Sequence, residues 1–488
     1  MPHCSTVQQR SQLVSQLLAD SRQHGLVSQL SRDYQVSRQT LYRWKAKVEE
    51  AIQEALSPAA AKNQRKEHIQ RAVLILFVEA HGSYRGIQIC MKELFGEDMS
   101  LETIGSIVNE AGTCAQKLLV QQKPTKDCAL ALDEQYSSKR GEAYLNIVDA
   151  HSSVVWATMP PVAVDAESWT ILLWYMQEQG VTWKTAASDG GGAIADALGS
   201  VEAVSRHQRD VWHVLHVGSQ VQGRVDRYLH KLEEQLPTVC RQAERVAQGK
   251  KPLGVNPRTD VQAHLAHIKH AEYLASGLHY LLLQLHQLLE VVVLKQNSQQ
   301  GILDSQQRQE ELETLLDLLT DLEKEAPSAV SKELQNLHKH VQLALPRLLL
   351  FARDLDQIQL QVGQALGEEA LHLLGWAWQR RKILGPSTAQ LVQGLAPDWH
   401  AMASQLFTAW ECSVRASSAV ENWHSILRPH LAVHRGLTAS MLALLAVRHN
   451  YHVAPRGLHA GLSPLQRSGI EQQTTDWLTA LGYAPLAA

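Results

Sequence analysis

Three acidic residues of this sequence lie where a carboxylate group can take part in chemistry. Asp133 ends the apolar run of "LALDEQY", and Asp189 lies in "ASDGGGAI", between a short apolar run and a helix-forming segment. Glu421 lies within a helical pattern in "SSAVENWHSIL", with Ser, Asn and His as neighbours. Carboxylate oxygens are the ligands that Mg²⁺ prefers, and two divalent ions roughly 4 Å apart serve both the attacking and the leaving oxygen in a displacement at phosphorus. The three acids therefore predict metal-dependent chemistry at a phosphodiester, provided that the fold brings them together.

The segments around the first two acids have the pattern of a small sheet. The runs "CALALDEQY", "AYLNIVDA" and "SVVWATM" are strand-like and are joined by polar turns, "AESWTILLWYMQEQ" has helical spacing, and "TWKTAAS" is a further short strand. Three antiparallel strands, a helix and a strand that returns beside the first is the order of an RNase H-like fold. This order predicts that Asp133 and Asp189 lie at one edge of the sheet. The glycines at 190, 191 and 192 are expected to leave room there for a phosphate backbone.

Other interpretations of these acids remain open at this point. Aspartates at strand ends are commonly caps, and "DGGG" is compatible with a plain turn from strand to helix. Two neighbouring acids are predicted to lie outside the site. Glu134 follows Asp133 in the strand and is expected to point to the opposite face. Asp149 ends the second strand and is expected to cap a turn.

The N-terminal segment "LVSQLSRDYQVSRQTLYRWKAKV" has the pattern of a helix, a tight turn and a second helix. Ser37 is a suitable N-cap for the second helix, and Leu41, Trp44 and Val48 fall on one face and are predicted to point inward. This is the layout of a helix-turn-helix, in which the second helix reads base edges and Arg and Lys hold phosphates. The alternative is an ordinary helical hairpin with a solvated face. The predicted DNA-contacting residues are Arg38, Gln39, Tyr42, Arg43 and Lys45.

A polar, Ala-rich linker, "LSPAAAKNQRK", is predicted to separate this unit from a second helical unit. In "HGSYRGIQICMKELFGEDMSLETIGSIVNEAG" a helix, a turn at "GEDM" and a second helix follow one another. Ser100 is the predicted N-cap of that second helix, which is expected to be buried through Leu101, Ile104, Ile107 and Val108. Two such units in tandem are typical of a bipartite reader of one DNA site.

These motifs resemble those of DDE-type transposases of bacterial insertion sequences, and the resemblance covers most of the chain. It rests on the two helical units and on "LALDEQY", "ASDGGGAI", "DVWHVLH", "SSAVENWHSILRPHL" and "HAGLSPLQ". The resemblance implies that Asp133, Asp189 and Glu421 form the catalytic triad and bind the metal. It also implies that the cofactor is Mg²⁺ or Mn²⁺, as two ions, and that the partners are double-stranded transposon ends and target DNA.

The group "DVWH", which is Asp210-x-x-His213, is similar to a signature of transposase families with a large helical insertion, including the hAT, Mutator and P-element-like groups. The likeness implies that His213 shuttles a proton or positions a phosphate near the metals, and that Asp210 orients it or contributes to the edge of the site. A histidine in such a position is also often a structural donor to a backbone carbonyl.

The long interval between the second and third acids is almost wholly helical in pattern and predicts an all-α insertion domain. Leucines recur at three- and four-residue spacing in "AEYLASGLHYLLLQLHQLLEVVVLKQ" and "RQEELETLLDLLTDLEKEA". In "LGWAWQRRKILGP", Trp376 and Trp378 lie beside Arg380 and Arg381. Tryptophan stacks on unpaired bases, although it is more often a core residue in helical domains. The spacing favours the core for Trp376 and a DNA contact for Trp378 with the two arginines.

Composition describes an ordinary globular protein. The chain has 488 residues, of which 45% are hydrophobic and 19% charged, with a net charge of −3. A basic excess lies at the front, with eleven Lys and Arg against six Asp and Glu from Met1 to Arg71. No apolar run approaches the roughly 20 residues that span a bilayer. The six cysteines are scattered without a close pair, which argues against a zinc knuckle or a disulfide scaffold and favours reduced thiols in the cytoplasm.

Together these patterns predict a mixed α/β protein, with helix-turn-helix units ahead of an RNase H-like core that a large all-α domain interrupts. The expected divisions are 1–56 and 57–125 for the DNA-binding units, 126–218 and 411–488 for the two parts of the core, and 219–410 for the insertion. The predicted activity is DNA cleavage and strand transfer by a homodimer or higher oligomer. Two alternatives are a domesticated DNA-binding regulator without catalysis and an RNase H-like nuclease.

Overall fold

The computed structural model describes residues 6–19, 25–56, 58–201, 206–254, 257–295, 299–384, 397–456 and 459–483. The chain forms two compact units, one of Met1–Val108 with Leu478–Ala488 and the other of Asn109–Trp477. The described part is mixed α/β, mostly helical, with one small mixed sheet. Within the described residues, no helix combines the length and the apolar character that crossing a membrane requires.

Three helices form the first bundle of the N-terminal unit: α1 (Val7–Ala19), α2 (Leu26–Asp33) and α3 (Arg38–Leu56). They pack around a small apolar core that consists of Leu13, Leu17, Leu30 and Leu41. The predicted cap at the start of α3 is present, because Ser37 Oγ accepts a hydrogen bond of 3.1 Å from the backbone N of Thr40. The two predicted helices and the turn between them are therefore formed.

The next helices are α4 (Pro58–Val78), α5 (Tyr84–Phe95) and α6 (Leu101–Gln121). Ser100 caps α6, since its Oγ accepts from the backbone N of Thr103 at 3.0 Å. Ile104, Ile107 and Val108 are buried as predicted. Two predictions are wrong here. Leu101 is 39% exposed because it occupies the first position of the helix, and the predicted linker is helical from Pro58 onward, in keeping with the helix propensity of its alanines.

The sheet contains β1 (Cys128–Tyr136), β2 (Glu142–Asp149), β3 (Val155–Ala163), β4 (Trp183–Ser188) and β5 (Arg206–Arg209). Its order is β3-β2-β1-β4-β5. Strands β3, β2 and β1 are antiparallel, whereas β4 lies parallel to β1 and β5 lies parallel to β4. The four strands that the sequence predicts are confirmed, together with the helix α7 (Ala166–Glu178). Strand β5 was not predicted, because "RHQR" has neither apolar alternation nor β-branched residues.

Successive side chains of β1 face different helices. Leu130 and Leu132 pack with Trp169 of α7 and Ile194 of α8 (Gly192–Ser200) in one apolar core. The opposite face of the sheet meets α16 (Ser418–Val433), whose Trp423 donates from Nε1 to Asn146 Oδ1 at 2.8 Å. The alternation of strand side chains thus places odd-numbered residues of β1 toward α16 and even-numbered residues toward α7.

Seven helices of the described part follow β5 and precede α16. They share one apolar core, which includes leucines from most of them together with Trp378 and Trp410. The described residues of this interval are almost wholly helical, as predicted, and the proposed first residue of an insertion domain, 219, lies inside a single continuous helix. The helices are α9 (Val211–Ala247), α10 (Val261–Leu288), α11 (Ser305–Glu325), α12 (Ser331–Leu348), α13 (Leu350–Leu366), α14 (Glu368–Leu384) and α15 (Pro397–Glu411).

The last helices are α17 (Ala439–Tyr451), α18 (Pro464–Arg467) and α19 (Trp477–Ala480). Helix α17 is almost entirely buried. Its Asn450 makes two hydrogen bonds to the backbone of Val155, accepting at 2.9 Å from N and donating at 3.2 Å to O. These bonds join α17 to the edge strand β3, next to the face of the sheet that carries Asp133.

Candidate active site

Asp133 lies near the end of β1, with its side chain on the α16 face of the sheet. It is 9% exposed, and its Oδ1 accepts a hydrogen bond of 2.9 Å from the backbone N of Glu134. Burial raises the pKa of this carboxyl to about 8, and the nearby charges of Asp189, Glu134 and Glu421 add to the increase. A bound cation would therefore strongly stabilise the charged form of this carboxyl.

Asp189 follows the last residue of β4 and precedes α8. Its Oδ1 accepts from the backbone N of Gly191 at 2.9 Å, as in an Asx turn at the start of a helix. One ligand oxygen each of Asp133, Glu134 and Asp189 lies within 4.8 Å of the others, a spacing that can hold a metal ion. The parallel pairing of β1 with β4 creates this proximity, because parallel strands end at the same edge of a sheet.

Glu421 lies in the first turn of α16, across the same face of the sheet. Its carboxylate is 45% exposed and forms an ion pair of 2.8 Å with Arg428, which also donates to Gln135 Oε1 at 3.2 Å. Asp133, Glu421 and His424 form a second group of potential ligand atoms within 4.8 Å of one another. The structure therefore places Asp133 close to each of the other two predicted acids, to Asp189 in one group and to Glu421 in the other.

Glu134 was predicted to point to the face opposite Asp133 and to lie outside the site. Its side chain does point to the α7 face, where Trp169 Nε1 donates to its Oε1 at 3.1 Å. The carboxylate is nevertheless within 4.8 Å of the ligand atoms of Asp133 and Asp189, because at the edge of the sheet the two faces are no longer separated by neighbouring strands. Burial raises the pKa of Glu134 as well.

Asp149 has the role that the sequence predicts for it. Its Oδ1 accepts from the backbone N atoms of His151 and Ser152 at 3.0 and 2.6 Å, and from Ser152 Oγ at 2.8 Å. These bonds give an acceptor to the hydrogen-bond donors of the tight turn between β2 and β3. Asp149 is therefore a turn cap.

His424 is a member of the site that the sequence interpretation missed. It is 1% exposed, its Nδ1 lies 3.8 Å from Asp133 Oδ2, and its Nε2 lies 3.2 Å from Asn146 Nδ2. Burial lowers its pKa to about 4. The signal was available in the sequence, because residues three apart on a helix share a face and His424 follows Glu421 by three.

Asp210 has different surroundings from those predicted. Asp210 caps α9 by accepting from Trp212 N at 2.7 Å, and its other oxygen accepts from Ser417 N and Oγ at 2.8 and 2.6 Å. Its carboxylate is thus committed to the start of α9 and the segment before α16, rather than to orienting His213. The His213 ring is partly buried and lies edge-on to Trp212, with ring centroids 5.1 Å apart.

Basic groups lie beside Asp189 on its other side. The Arg209 guanidinium packs over Gly190, where an added methyl group would collide with it, and it contacts His340 Nε2 at 3.4 Å. The prediction that the glycines leave open room is therefore wrong for Gly190, which an arginine covers. It holds for Gly192, where no heavy atom lies within 4 Å of the place that a Cβ atom would occupy.

The predicted DNA-reading residues of α3 are arranged as a helix face. Leu41 is fully buried, while Arg38, Gln39, Tyr42 and Arg43 are exposed. Lys45 is partly buried and lies 3.6 Å from Glu49, so part of its charge is already compensated. Exposed polar and basic side chains thus lie opposite the apolar side of α3.

The structure reverses the predicted burial of the two tryptophans of α14. Trp378 is 5% exposed and packs against Phe407 and Trp410 in the helical core, with Arg381 over its ring at 3.7 Å. Trp376 is the partly exposed one, and Arg380 covers its ring at 4.5 Å. Trp378 is therefore a core residue, whose ring is not accessible to a base.

The chain matches no protein-family model, and no curated protein matches it.

Proposed function

We propose that this protein is a DNA transposase that binds the ends of a mobile element and cleaves and joins DNA with divalent metal ions at Asp133, Asp189 and Glu421. The observation that carries the proposal is the position of Asp133, which belongs to two groups of potential metal ligands. One group contains Asp189 and the other contains Glu421. A shared carboxylate between two ligand groups is what a two-ion centre requires.

The order of the sheet supports the same proposal. The central strand β1 carries Asp133, and the parallel strand β4 beside it leads into Asp189. The helix that carries Glu421 packs on β1 and β2 after a long helical insertion. The order β3-β2-β1-β4-β5, with three antiparallel and two parallel strands, is the arrangement expected of an RNase H-like core.

The chemical character of the ligands fits a hard divalent ion. Oxygen ligands and partial exposure, as at Glu421, suit Mg²⁺ or Mn²⁺, which keep water and bind phosphate oxygens. Bound ions of this kind supply Lewis acidity to the attacking and the leaving oxygen of the phosphodiester. The protein's own part is to hold Asp133 in a buried place where a bound cation would displace its proton, to aim Glu421 from α16, and to present Asp189 at the end of β4.

The exposed face of α3 supports recognition of duplex DNA. Arg38 and Arg43 extend from a helix that is held by its own small core and by the Ser37 cap. A helix of this kind fits the major groove, where arginine recognises guanine. We assign the specific contacts to this face, since the basic excess lies at the front of a chain whose net charge is −3.

The proposal is tested with the full-length protein and duplexes that carry the DNA flanking its coding sequence. Asp133→Asn, Asp189→Asn and Glu421→Gln are each expected to abolish Mg²⁺-dependent cleavage and to leave duplex binding largely intact, because they remove metal ligands rather than DNA contacts. The matched control is Asp317→Asn, an exposed residue of α11, which should cleave like the wild type.

The products distinguish the proposal from its alternatives. Cleavage followed by joining of the ends to a second duplex supports a transposase. Hydrolysis without joining in any condition identifies a nuclease, and sequence-selective binding without cleavage identifies a regulator. Cleavage at the wild-type rate by any one of the three variants removes that residue from the site.

A further inference from the structure

The Asn146 side chain holds His424 in a fixed hydrogen-bonding arrangement. Asn146 is fully buried in β2, directly opposite Asp133 in the register of β1 and β2. Its Oδ1 accepts from Trp423 Nε1 and from Thr158 Oγ1, both at 2.8 Å. Its Nδ2 donates to the backbone O of Tyr144 at 3.0 Å and faces His424 Nε2 at 3.2 Å.

The hydrogen-bond partners of Asn146 identify which atom of its amide is the oxygen and which is the nitrogen. An indole N–H only donates, so the atom that faces Trp423 must be the amide oxygen. A backbone carbonyl only accepts, so the atom that faces Tyr144 O must be the amide nitrogen. Rotating the amide by half a turn would break both contacts and leave buried groups without partners, which costs roughly 1–3 kcal/mol for each group.

The amide in turn determines the tautomer of His424. Because Asn146 presents an N–H to Nε2, that ring nitrogen must offer a lone pair. The proton of the neutral ring therefore lies on Nδ1, the atom that faces Asp133 Oδ2 at 3.8 Å. A metal ion at Nδ1 would require the proton on Nε2, where it would meet the N–H of Asn146.

We infer that His424 is a positioning residue, which directs its Nδ1–H toward Asp133 and does not bind the metal, so that carboxylate oxygens are the protein ligands of the centre. The inference rests on the proposed function for its consequence at the metal, whereas the tautomer is a property of the metal-free protein. Its chemical consequence is selectivity. A centre with oxygen ligands favours Mg²⁺ and Mn²⁺, whereas an added imidazole ligand favours Zn²⁺ and other borderline ions.

The first test is the tautomer itself, measured on the metal-free full-length protein with ¹⁵N-labelled histidine. Long-range ¹H–¹⁵N correlation spectra distinguish Nε2, which couples to both ring C–H protons, from Nδ1, and the His424→Asn variant identifies the signals of His424. A protonated Nδ1 with an unprotonated Nε2 is expected. A proton on Nε2 overturns the inference.

The second test places Mn²⁺ in the site and records its electron spin echo modulation. Mn²⁺ that binds the wild type but not Asp133→Asn should show no directly coordinated nitrogen. A nitrogen coupling that disappears in His424→Gln overturns the inference and leaves the proposed metal chemistry in place. Absence of any binding that depends on Asp133 removes the proposed metal centre instead, and the tautomer measurement then decides the question for His424.

A matched pair of variants separates positioning from packing. The amide of Asn reaches the place of Nδ1, whereas that of Gln reaches the place of Nε2. We expect His424→Gln to lower cleavage roughly 10–100-fold, as loss of a residue that orients a metal ligand does, and His424→Asn to retain most of the activity. Equal losses in the two variants would show that the ring only fills space.

Discussion

One oxygen of the Asp210 carboxylate accepts two hydrogen bonds from Ser417, at 2.8 Å from its backbone N and 2.6 Å from its Oγ. The other oxygen caps α9 through Trp212 N, and the backbone N of Asp210 donates to Ser188 O at 2.8 Å. A single buried residue thus joins the end of β4, the start of α9 and the segment that leads into the helix of Glu421.

Asp210→Ala is expected to destabilise the protein by roughly 2–4 kcal/mol, since it removes an N-cap and leaves the buried donors of Ser417 without an acceptor. Chemical denaturation measures the effect. Ser417→Ala removes only the hydroxyl bond and should cost about 1 kcal/mol. Equal stability of the two variants would mean that Asp210 does not join the segments.

Gly190→Ala is expected to damage the site, whereas Gly192→Ala is not. Gly190 has φ of +80°, and a methyl group there would displace Arg209 from beside Asp189. The backbone strain alone costs roughly 1–2 kcal/mol. Gly192 has open space and begins α8, so alanine there should leave stability equal or slightly higher. Thermal melts and Mn²⁺ binding of both variants decide the matter, and similar behaviour would contradict the role of Arg209 over Gly190.

The two tryptophans of α14 should differ in their contribution to stability. Trp378→Ala opens a cavity beside Phe407 and Trp410 and is expected to cost about 3–5 kcal/mol. Trp376→Ala removes a partly exposed ring under Arg380 and should cost less than half as much. Urea denaturation of the two variants measures the difference. A larger loss at Trp376 would contradict the burial that the structure gives.

Recognition of DNA by α3 predicts a local effect of Arg43→Ala. If the arginine contacts a base, its loss weakens binding to the flanking duplex by about 1–3 kcal/mol and relaxes specificity at that position. Lys117→Ala removes one exposed positive charge from α6 and serves as the control. Competition binding against random duplex measures both variants, and equal effects would leave α3 without a reading role.

The central strands and their acids were accessible from the sequence because a short apolar run leads up to each acid, to Asp133 within β1 and to Asp189 after β4. Parallel pairing of the two strands then brings the acids to one edge of the sheet. Strand β5 lacked this signal, since its residues are polar and it is held in place by the backbone of β4. The position of β5 depends on its pairing with β4, and a local sequence pattern does not reveal such a contact between separate segments.

The sequence interpretation did not place Glu134 and His424 beside Asp133, because their positions depend on contacts between separate elements of the fold. Glu134 was excluded because successive side chains of a strand point to opposite faces of the sheet. That alternation does not keep two neighbouring carboxylates apart at the edge of the sheet. The role of His424 depends on Asn146, a residue of another strand whose amide is fixed by partners from two further elements. The sequence interpretation assigned the burial of Trp376 and Trp378 the wrong way round, because the spacing from Leu373 alone does not determine which side of the helix faces the core.

The pKa of Asp133 gives the account a defined dependence on pH. Its value of about 8 in the folded protein exceeds the value of about 3.9 for an unperturbed Asp. In the metal-free protein, the stability that this group contributes is therefore fully present below about pH 4 and is lost as the pH rises through about 8. Asp133→Asn should accordingly stabilise the metal-free protein more at pH 8.5 than at pH 5, in melts recorded with a chelator.

The most direct measurement of the central claim is the thermal stabilisation of the full-length protein by Mn²⁺ at pH 6 and at pH 8.5. Binding to the folded state raises the melting temperature, and Mn²⁺ must displace the proton of Asp133. The wild type and Asp317→Asn should therefore show a clear increase that is larger at the higher pH, and Asp133→Asn and Glu421→Gln should show little or none. An equal increase in wild type and Asp133→Asn at both pH values would contradict a metal centre at this carboxylate.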